Sequence, residues 1–196
     1  MQTTGKNRLR IFTIGHSNRT GGDFLELLKE FGIATVVDIR RYPASRKFPH
    51  FNREKLEEML KVNNINYLWF EALGGRRHSK KNIESKNTAL KNPAFRNYAD
   101  YMTTKQFHDT IDKLRKTAAL STVAIMCAEA LYWRCHRKLV SDYLTLHNVE
   151  VKHILEHGKL LDHNLTTGAT VAEDGAVIYP SQPDAEWLFD LYKNEQ

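Results

Sequence analysis

The sequence predicts an α/β protein built on a doubly wound, Rossmann-like and mainly parallel sheet of about five strands. Short apolar runs alternate with segments in which apolar residues recur at helical spacing. One of these runs, 34–39, is almost continuously apolar, which is typical of a parallel strand covered on both faces. The order is strand-helix-strand-helix-strand, then two helices, then strand-helix-strand. Right-handed crossovers would wind such a chain into one open sheet.

Each expected element has a local signal. Strands are predicted at 11–15, 34–39, 65–70, 122–127 and 149–155. The first helix carries Phe24 and Leu27 and stops at Gly32, and Asn52 can cap the second. Two further helices follow Pro93, and another leads from Cys135 into the last strand. The polar and basic residues 74–92 between these elements predict a long loop.

Length and composition predict one domain. The chain has 196 residues, of which 41% are hydrophobic, enough for a substantial core. We expect a flexible N-terminus at 1–10, the α/β domain at 11–165, and a C-terminal extension at 166–196 that packs on the same domain. No apolar run approaches the roughly 18 residues of a membrane span, and no signal peptide is evident. A cytoplasmic protein without a membrane partner is therefore expected, while its oligomeric state stays open.

Charge and cysteine content narrow the chemistry. The chain carries 29 Lys and Arg against 23 Asp and Glu, a net charge of +6, which favours nucleic acid or nucleotide partners. It has two cysteines, too few for a disulfide framework, and a reducing compartment would keep both as thiols.

Polar side chains follow several predicted strands. Because ligands of open α/β sheets bind at the carboxyl ends of the strands, these side chains predict one site. The candidate catalytic residues are Asp38, Cys127, Glu129 and His136. The candidate substrate-binding residues are His16, Ser17, Arg40, Arg41, Tyr42, Ser45, Arg46, Arg76, Trp133 and Arg137.

Carboxylates, arginines and aromatic residues at one edge favour an enzyme that acts on nucleic acid or nucleotides. Glu129 and Asp38 would do acid/base or electrostatic work, while arginines hold phosphate and an aromatic ring stacks on a base. This pattern suits a hydrolase-like or lyase-like reaction, including cleavage of an N-glycosidic bond.

A thiol-dependent enzyme is the main alternative. Cys127 at a strand end with Arg134 nearby is similar to the phosphate loop of cysteine phosphatases and rhodaneses. Six residues separate the two where the phosphatase pattern has five, residues 128–133 contain no glycine, and Glu129 would repel phosphate. A Cys127-dependent sulfur or phosphoryl transferase nevertheless stays open. So does a non-catalytic, basic nucleic-acid-binding module whose charged residues form structural ion pairs.

The sequence predicts neither a metal nor another cofactor. Cys127, Cys135 and His136 are metal-ligand types, but seven residues lie between the thiols, whereas structural zinc sites place paired cysteines two to four apart.

Five ordered motifs resemble one known family. They are Ile14-Gly15-His16-Ser17, Val37-Asp38-Ile39-Arg40, Tyr42-Pro43-Ala44-Ser45-Arg46 with Phe51-Asn52, Leu73-Gly74-Gly75, and Cys127-Ala128-Glu129 with Cys135-His136-Arg137. Together they resemble the domain of unknown function family 488 over roughly residues 11–165. The resemblance implies an α/β domain and brings no activity with it, so the chemistry must come from the site.

Overall fold

A six-stranded sheet forms the centre of the protein. The computed structural model describes residues 8–78 and 84–181. The strands are β1 (Arg10–Gly15), β2 (Thr35–Asp38), β3 (Asn66–Trp69), β4 (Val123–Cys127), β5 (Glu150–Glu156) and β6 (Lys159–Asp162). Their order is β3-β2-β4-β1-β5-β6. The first five run parallel, and β6 pairs antiparallel with β5.

Five helices cover both faces of this sheet. They are α1 (Gly21–Glu30), α2 (Arg53–Val62), α3 (Pro93–Met102), α4 (Lys105–Leu120) and α5 (Arg137–Leu146). Helices α1 and α2 pack on one face, and α3, α4 and α5 pack on the other, in two separate apolar clusters. The chain moves in one direction from β1 to β3 and in the other from β3 to β5, so right-handed crossovers place the two helix sets on opposite faces. The predicted doubly wound, mainly parallel α/β fold is confirmed.

Local signals explain how the helices begin. Thr20 and Asp23 form a reciprocal capping box at the start of α1. Asn52 precedes α2 as predicted, but its side chain makes no capping bond. Its carbonyl oxygen instead accepts from the Ser45 amide at 2.6 Å, and the Ser45 hydroxyl accepts from the Phe48 amide at 3.0 Å. The loop after β2 is therefore ordered by a residue that the sequence assigns to the helix.

Short strands near the C-terminus were not predicted. The backbone turns at Gly158, whose φ is 64°, and β6 returns along β5 with every residue exposed. Two further strands, β7 (Thr170–Val171) and β8 (Val177–Ile178), pair antiparallel. Strands of two to four residues are too short to show a period. Within residues 8–78 and 84–181, no helix has both the length and the apolar character needed to cross a membrane.

Gly15 marks a close crossing of two backbones. A Cβ atom at this position would lie 1.9 Å from the carbonyl oxygen of Glu129 in the loop after β4. We expect Gly15→Ala to lower the free energy of unfolding by about 1–3 kcal/mol, the usual cost of overpacking. Urea unfolding checks this value. Gly22→Ala is the matched control, because its Cβ would lie 3.7 Å from the nearest atom, in a helix that favours alanine. Equal stability of the two variants would contradict the crossing.

Candidate functional site

A pocket of about 1150 Å³ opens at the carboxyl ends of β1, β2 and β4. Ten of the fourteen predicted site residues line it: His16, Ser17, Arg40, Arg41, Tyr42, Ser45, Arg76, Cys127, Glu129 and His136. The other four lie outside the lining. Arg46 and Trp133 are exposed, while Asp38 and Arg137 are buried. The sheet therefore brings together most of what the sequence assigned to one edge.

Asp38 is a fully buried partner of Arg40. Its two carboxylate oxygens accept from the Arg40 backbone amide and guanidinium at 2.5–3.0 Å, and from the Tyr67 hydroxyl at 2.8 Å. Burial and the Asp38 charge raise the pKa of Tyr67, which keeps its hydroxyl protonated as a donor. Every oxygen of Asp38 is thus engaged, and its geometry orients Arg40 toward the pocket.

His16 receives the other end of Arg40. Its Nδ1 lies 3.0 Å from the Ser17 carbonyl oxygen and so carries the proton, which leaves Nε2 to accept from Arg40 at 3.3 Å. The imidazole stacks on Phe51 with 4.2 Å between the ring centroids. Burial, and then the charge of Arg40, lower the pKa of His16 to about 4. His16 is therefore neutral at neutral pH and fixes the position of the guanidinium.

Removing the Asp38 charge is expected to be costly, because it leaves the Arg40 guanidinium buried without a counterion. We expect Asp38→Asn to lower the free energy of unfolding by about 3–5 kcal/mol. The control is Glu71→Gln, which breaks the part-exposed pair with Arg41 (3.0 Å) and should cost at most about 1 kcal/mol. Urea unfolding at neutral pH compares the two. A cost for Asp38→Asn no larger than that of the control would mean that the buried pair is not required.

The two cysteines meet at the floor of the pocket. The Sγ atoms of Cys127, at the end of β4, and Cys135, just before α5, lie 3.0 Å apart. Both side chains are largely buried and both line the pocket. The Cys135 sulfur also accepts from the backbone amide and the Nε of Arg137, each at 3.3 Å. Cys135 therefore has two N–H donors from Arg137 and a third contact with the Cys127 sulfur, in which either sulfur could donate.

Arg137 is a buried cation whose partner is sulfur. Its side chain is 1% exposed. Besides Cys135, it donates to the backbone carbonyls of Glu129 and Ala130 and lies 3.5 Å from the hydroxyl of Thr13. In the described part of the chain no carboxylate lies within ion-pair distance of it. A buried guanidinium needs an anion, and the Cys135 thiolate is the group placed to supply it.

The pKa values of the two cysteines also indicate that Cys135 is the thiolate. Burial raises the pKa of Cys135, but the hydrogen bond from Cys127 and the charge of Arg137 outweigh it and lower that pKa to about 6. The hydrogen bond to Cys135, and then burial, hold the pKa of Cys127 well above its usual range. At neutral pH the pair therefore shares one proton, carried by Cys127, and Cys135 is the thiolate.

His136 lies beside the two sulfurs. Its Nε2 is 3.1 Å from the Ile39 carbonyl oxygen, so Nε2 carries the proton and Nδ1 is unprotonated. A Cβ at Gly75 would lie 2.5 Å from Nδ1, so this glycine makes room for the ring. Burial lowers the pKa of His136, which keeps the imidazole neutral.

The same residues could hold a metal ion. The Sγ atoms of Cys127 and Cys135 and one ring nitrogen of His136 all lie within 4.8 Å of one another. The fold therefore brings together ligand groups whose spacing in the sequence does not match a zinc site. Arg137 argues against a cation there, because its guanidinium already neutralises Cys135 at 3.3 Å and would repel a divalent ion. The arrangement fits a thiol site better than a metal site.

Free positive charge surrounds the pocket. Lys47, Arg76 and Arg134 line it, are exposed, and have no ion-pair partner among the residues that the structure describes. Glu129 is also exposed in the lining, and its backbone amide lies 3.4 Å from the Cys127 sulfur. Arg137 reaches the carbonyl of Glu129 and not its carboxylate, so no ion pair joins these two side chains.

Sequence reasoning missed Cys135 as a site residue. Its signal was present, since Cys135 stands two residues before an arginine at the start of α5.

Sequence reasoning also missed a buried polar chain behind the pocket. In that chain Nδ1 of His153 lies 2.7 Å from the Thr13 hydroxyl, and its Nε2 lies 3.0 Å from Nδ1 of His163. Nε2 of His163 lies 2.9 Å from a carboxylate oxygen of Asp142. No local pattern predicts this chain, because its members come from β1, α5, β5 and the residues after β6.

Fold and site together define a doubly wound α/β protein with a basic pocket at the carboxyl edge of its sheet, and two thiols lie at the floor of this pocket. The family model for the domain of unknown function DUF488 matches residues 22–144. The chain belongs to this family, as its motifs predicted. No curated protein and no solved structure gives a significant match.

Proposed function

We propose that this protein is a thiol-dependent enzyme of the sulfur-transfer or thiol–disulfide exchange class, with Cys135 as its nucleophile. The observation that carries the proposal is the buried Arg137 guanidinium against the Cys135 sulfur, at the floor of an open pocket. Reactive cysteines need an electropositive, accessible setting: Arg137 supplies the positive charge, and Cys135, although largely buried, lines the open pocket. The predicted thiol alternative is thus retained, with the nucleophile moved from Cys127 to Cys135.

The reaction would begin with a simple displacement. The Cys135 thiolate attacks one sulfur of a disulfide or another sulfur-bonded substrate, forms a sulfur–sulfur bond, and releases the second sulfur as a thiolate. Arg137 stabilises the attacking thiolate, and the Cys127 S–H donates to it. Neutral His136 places one ring nitrogen within 4.8 Å of both sulfurs.

The substrate would be anionic. Among the residues that the structure describes, Lys47, Arg76 and Arg134 line the pocket without an ion-pair partner, against one exposed carboxylate, Glu129. A mainly positive lining attracts anionic ligands and raises their rate of association, an effect that salt weakens. Carboxylate-bearing or phosphate-bearing thiol compounds fit this charge.

Two matched disulfides test the proposal. We expect the fully reduced protein to react with an anionic aromatic disulfide faster than with a neutral one, and Cys127→Ser to keep a rapid phase that leaves its adduct on Cys135. Replacing both Arg76 and Arg134 by Gln should slow the anionic reagent by roughly tenfold and leave the neutral reagent unchanged. Thiolate release is followed by absorbance in a stopped-flow instrument. Loss of the rapid phase in Cys127→Ser together with its retention in Cys135→Ser would refute the proposal.

A second candidate is cleavage of a nucleotide N-glycosidic bond, and the exposed Glu129 carboxylate in the pocket favours it. Tyr42 is 64% exposed in the same lining and could stack on a base. Asp38 is unsuited to the second acid/base role because Arg40 and Tyr67 occupy both its oxygens. Base release from a single-stranded oligonucleotide, lost in Glu129→Gln and kept in Cys135→Ser, would favour this candidate over the thiol reaction.

A further inference from the structure

We propose that Cys127 is the resolving thiol, which releases the group captured by Cys135 and closes a disulfide between the two. This inference rests on the proposed thiol function and narrows it. Only an adduct joined through a sulfur–sulfur bond can be displaced in this way, so the substrate would be a disulfide or a related sulfur donor, and phosphoryl transfer would not apply.

The geometry places the second sulfur within reach. The two Sγ atoms are 3.0 Å apart, and a disulfide bond is about 2.05 Å long, so a closure of about 1 Å joins them. Cys127 ends β4 and Cys135 precedes α5, and the loop between them contains the exposed residues 128 and 129. The closure would therefore be confined to the floor of the pocket and the start of one helix.

Charge explains why the two thiols would act in sequence. In the resting pair the hydrogen bond to Cys135, then burial, then the negative charge of Cys135 raise the pKa of Cys127, so Cys127 keeps its proton. Once Cys135 carries an adduct, that thiolate is gone, and the Arg137 charge is left to stabilise a thiolate on Cys127. Capture by the first thiol would thus activate the second.

The complete cycle balances with one external reductant. The Cys135 thiolate attacks the disulfide RS–SR, which gives the mixed disulfide Cys135–S–SR and releases RS⁻. Cys127 then loses its proton to solvent in the open pocket that it lines, and attacks the sulfur of Cys135, which expels a second RS⁻. Two equivalents of an external thiol of low molecular weight then reduce the Cys127–Cys135 disulfide by exchange, leave as their own disulfide, and restore both cysteines.

A stoichiometric experiment on the unmodified protein tests the inference. Reduced protein is mixed with one equivalent of the symmetrical anionic disulfide, and both released thiolate and intact protein mass are recorded. We expect two equivalents of RS⁻ per protein and a product mass lower by two hydrogens. One equivalent of RS⁻ with a lasting adduct on Cys135 would overturn the resolving role and leave the proposed function intact. Absence of both release and adduct would overturn the proposed function itself.

Single-cysteine variants provide a second test of the resolving role of Cys127. Cys127→Ser should release one equivalent and keep the adduct on Cys135, and Cys135→Ser should close no disulfide and release no second equivalent of RS⁻. Circular dichroism checks that both variants are folded. Zinc added alone to the reduced protein is a further control. Tight zinc binding that blocks the disulfide reaction and is lost in His136→Ala would identify a metal site and overturn the resolving role.

Discussion

Alkylation of Cys135 by iodoacetamide is expected to rise with pH along a titration centred on about pH 6. The thiolate is the reactive form, so the rate is low below this pH and reaches its plateau near neutrality. An ordinary cysteine would titrate at about 8.5 and would react slowly under these conditions. Rates measured at a series of pH values, with peptide mass spectrometry to locate the modified cysteine, check both the midpoint and the position.

Two variants control this experiment. Cys135→Ser should remove alkylation at position 135, and because Cys127 then loses its thiolate neighbour, peptide mass spectrometry follows the reaction of Cys127 separately. Cys127→Ala should keep the fast phase but move its midpoint upward, since one of the donors that stabilise the thiolate is lost. A midpoint near 8.5 in the unmodified protein would contradict the thiolate.

Arg137→Met is expected to have the second large effect. Methionine fills much of the apolar volume of arginine but carries no charge and no donor. The carbonyls of Glu129 and Ala130 would lose their partner, and the Cys135 thiolate would lose its counterion. We expect the midpoint of Cys135 alkylation to rise to about 8.5 or higher, and the free energy of unfolding to fall by about 3–5 kcal/mol.

Arg134→Met is the matched control for this variant. Arg134 lies on the same segment and lines the pocket, but it is exposed. Its loss should change the unfolding free energy by less than about 0.5 kcal/mol. Equal midpoints for Arg137→Met and the unmodified protein would show that the buried guanidinium does not hold the thiolate. Measuring alkylation at low urea concentration, where both variants are folded, separates this effect from instability.

The apolar pattern of the sequence was sufficient to predict the fold. Continuous apolar runs such as 34–39 and helical stripes such as Phe24 and Leu27 mark buried surfaces, and burial decides which face of each element turns inward. From the predicted topology it also followed that Gly15, Asp38 and Cys127 end neighbouring strands. The register of these strands confirms their common edge.

Side-chain partners were harder to predict than positions. Asp38 was correctly expected near the pocket, but its full engagement by Arg40 and Tyr67 depends on a hydrogen bond from β3 across 29 residues. The state of Cys135 likewise depends on how α5 begins, since that start aims the Arg137 side chain back at the sulfur. Such contacts need distances of a few tenths of an ångström, which no sequence period encodes.

The chain of buried polar groups behind the pocket has one more consequence. Asp142 lies on α5, the helix that begins with Arg137, and it accepts from His163, from Thr166 and from the hydroxyl of Tyr179. These donors belong to the segment after β5. Separation of this segment from α5 would leave the buried Asp142 carboxylate without its hydrogen-bond donors. Residues 163–179 and α5 should open together, as one cooperative unit, in any partial unfolding of the native protein.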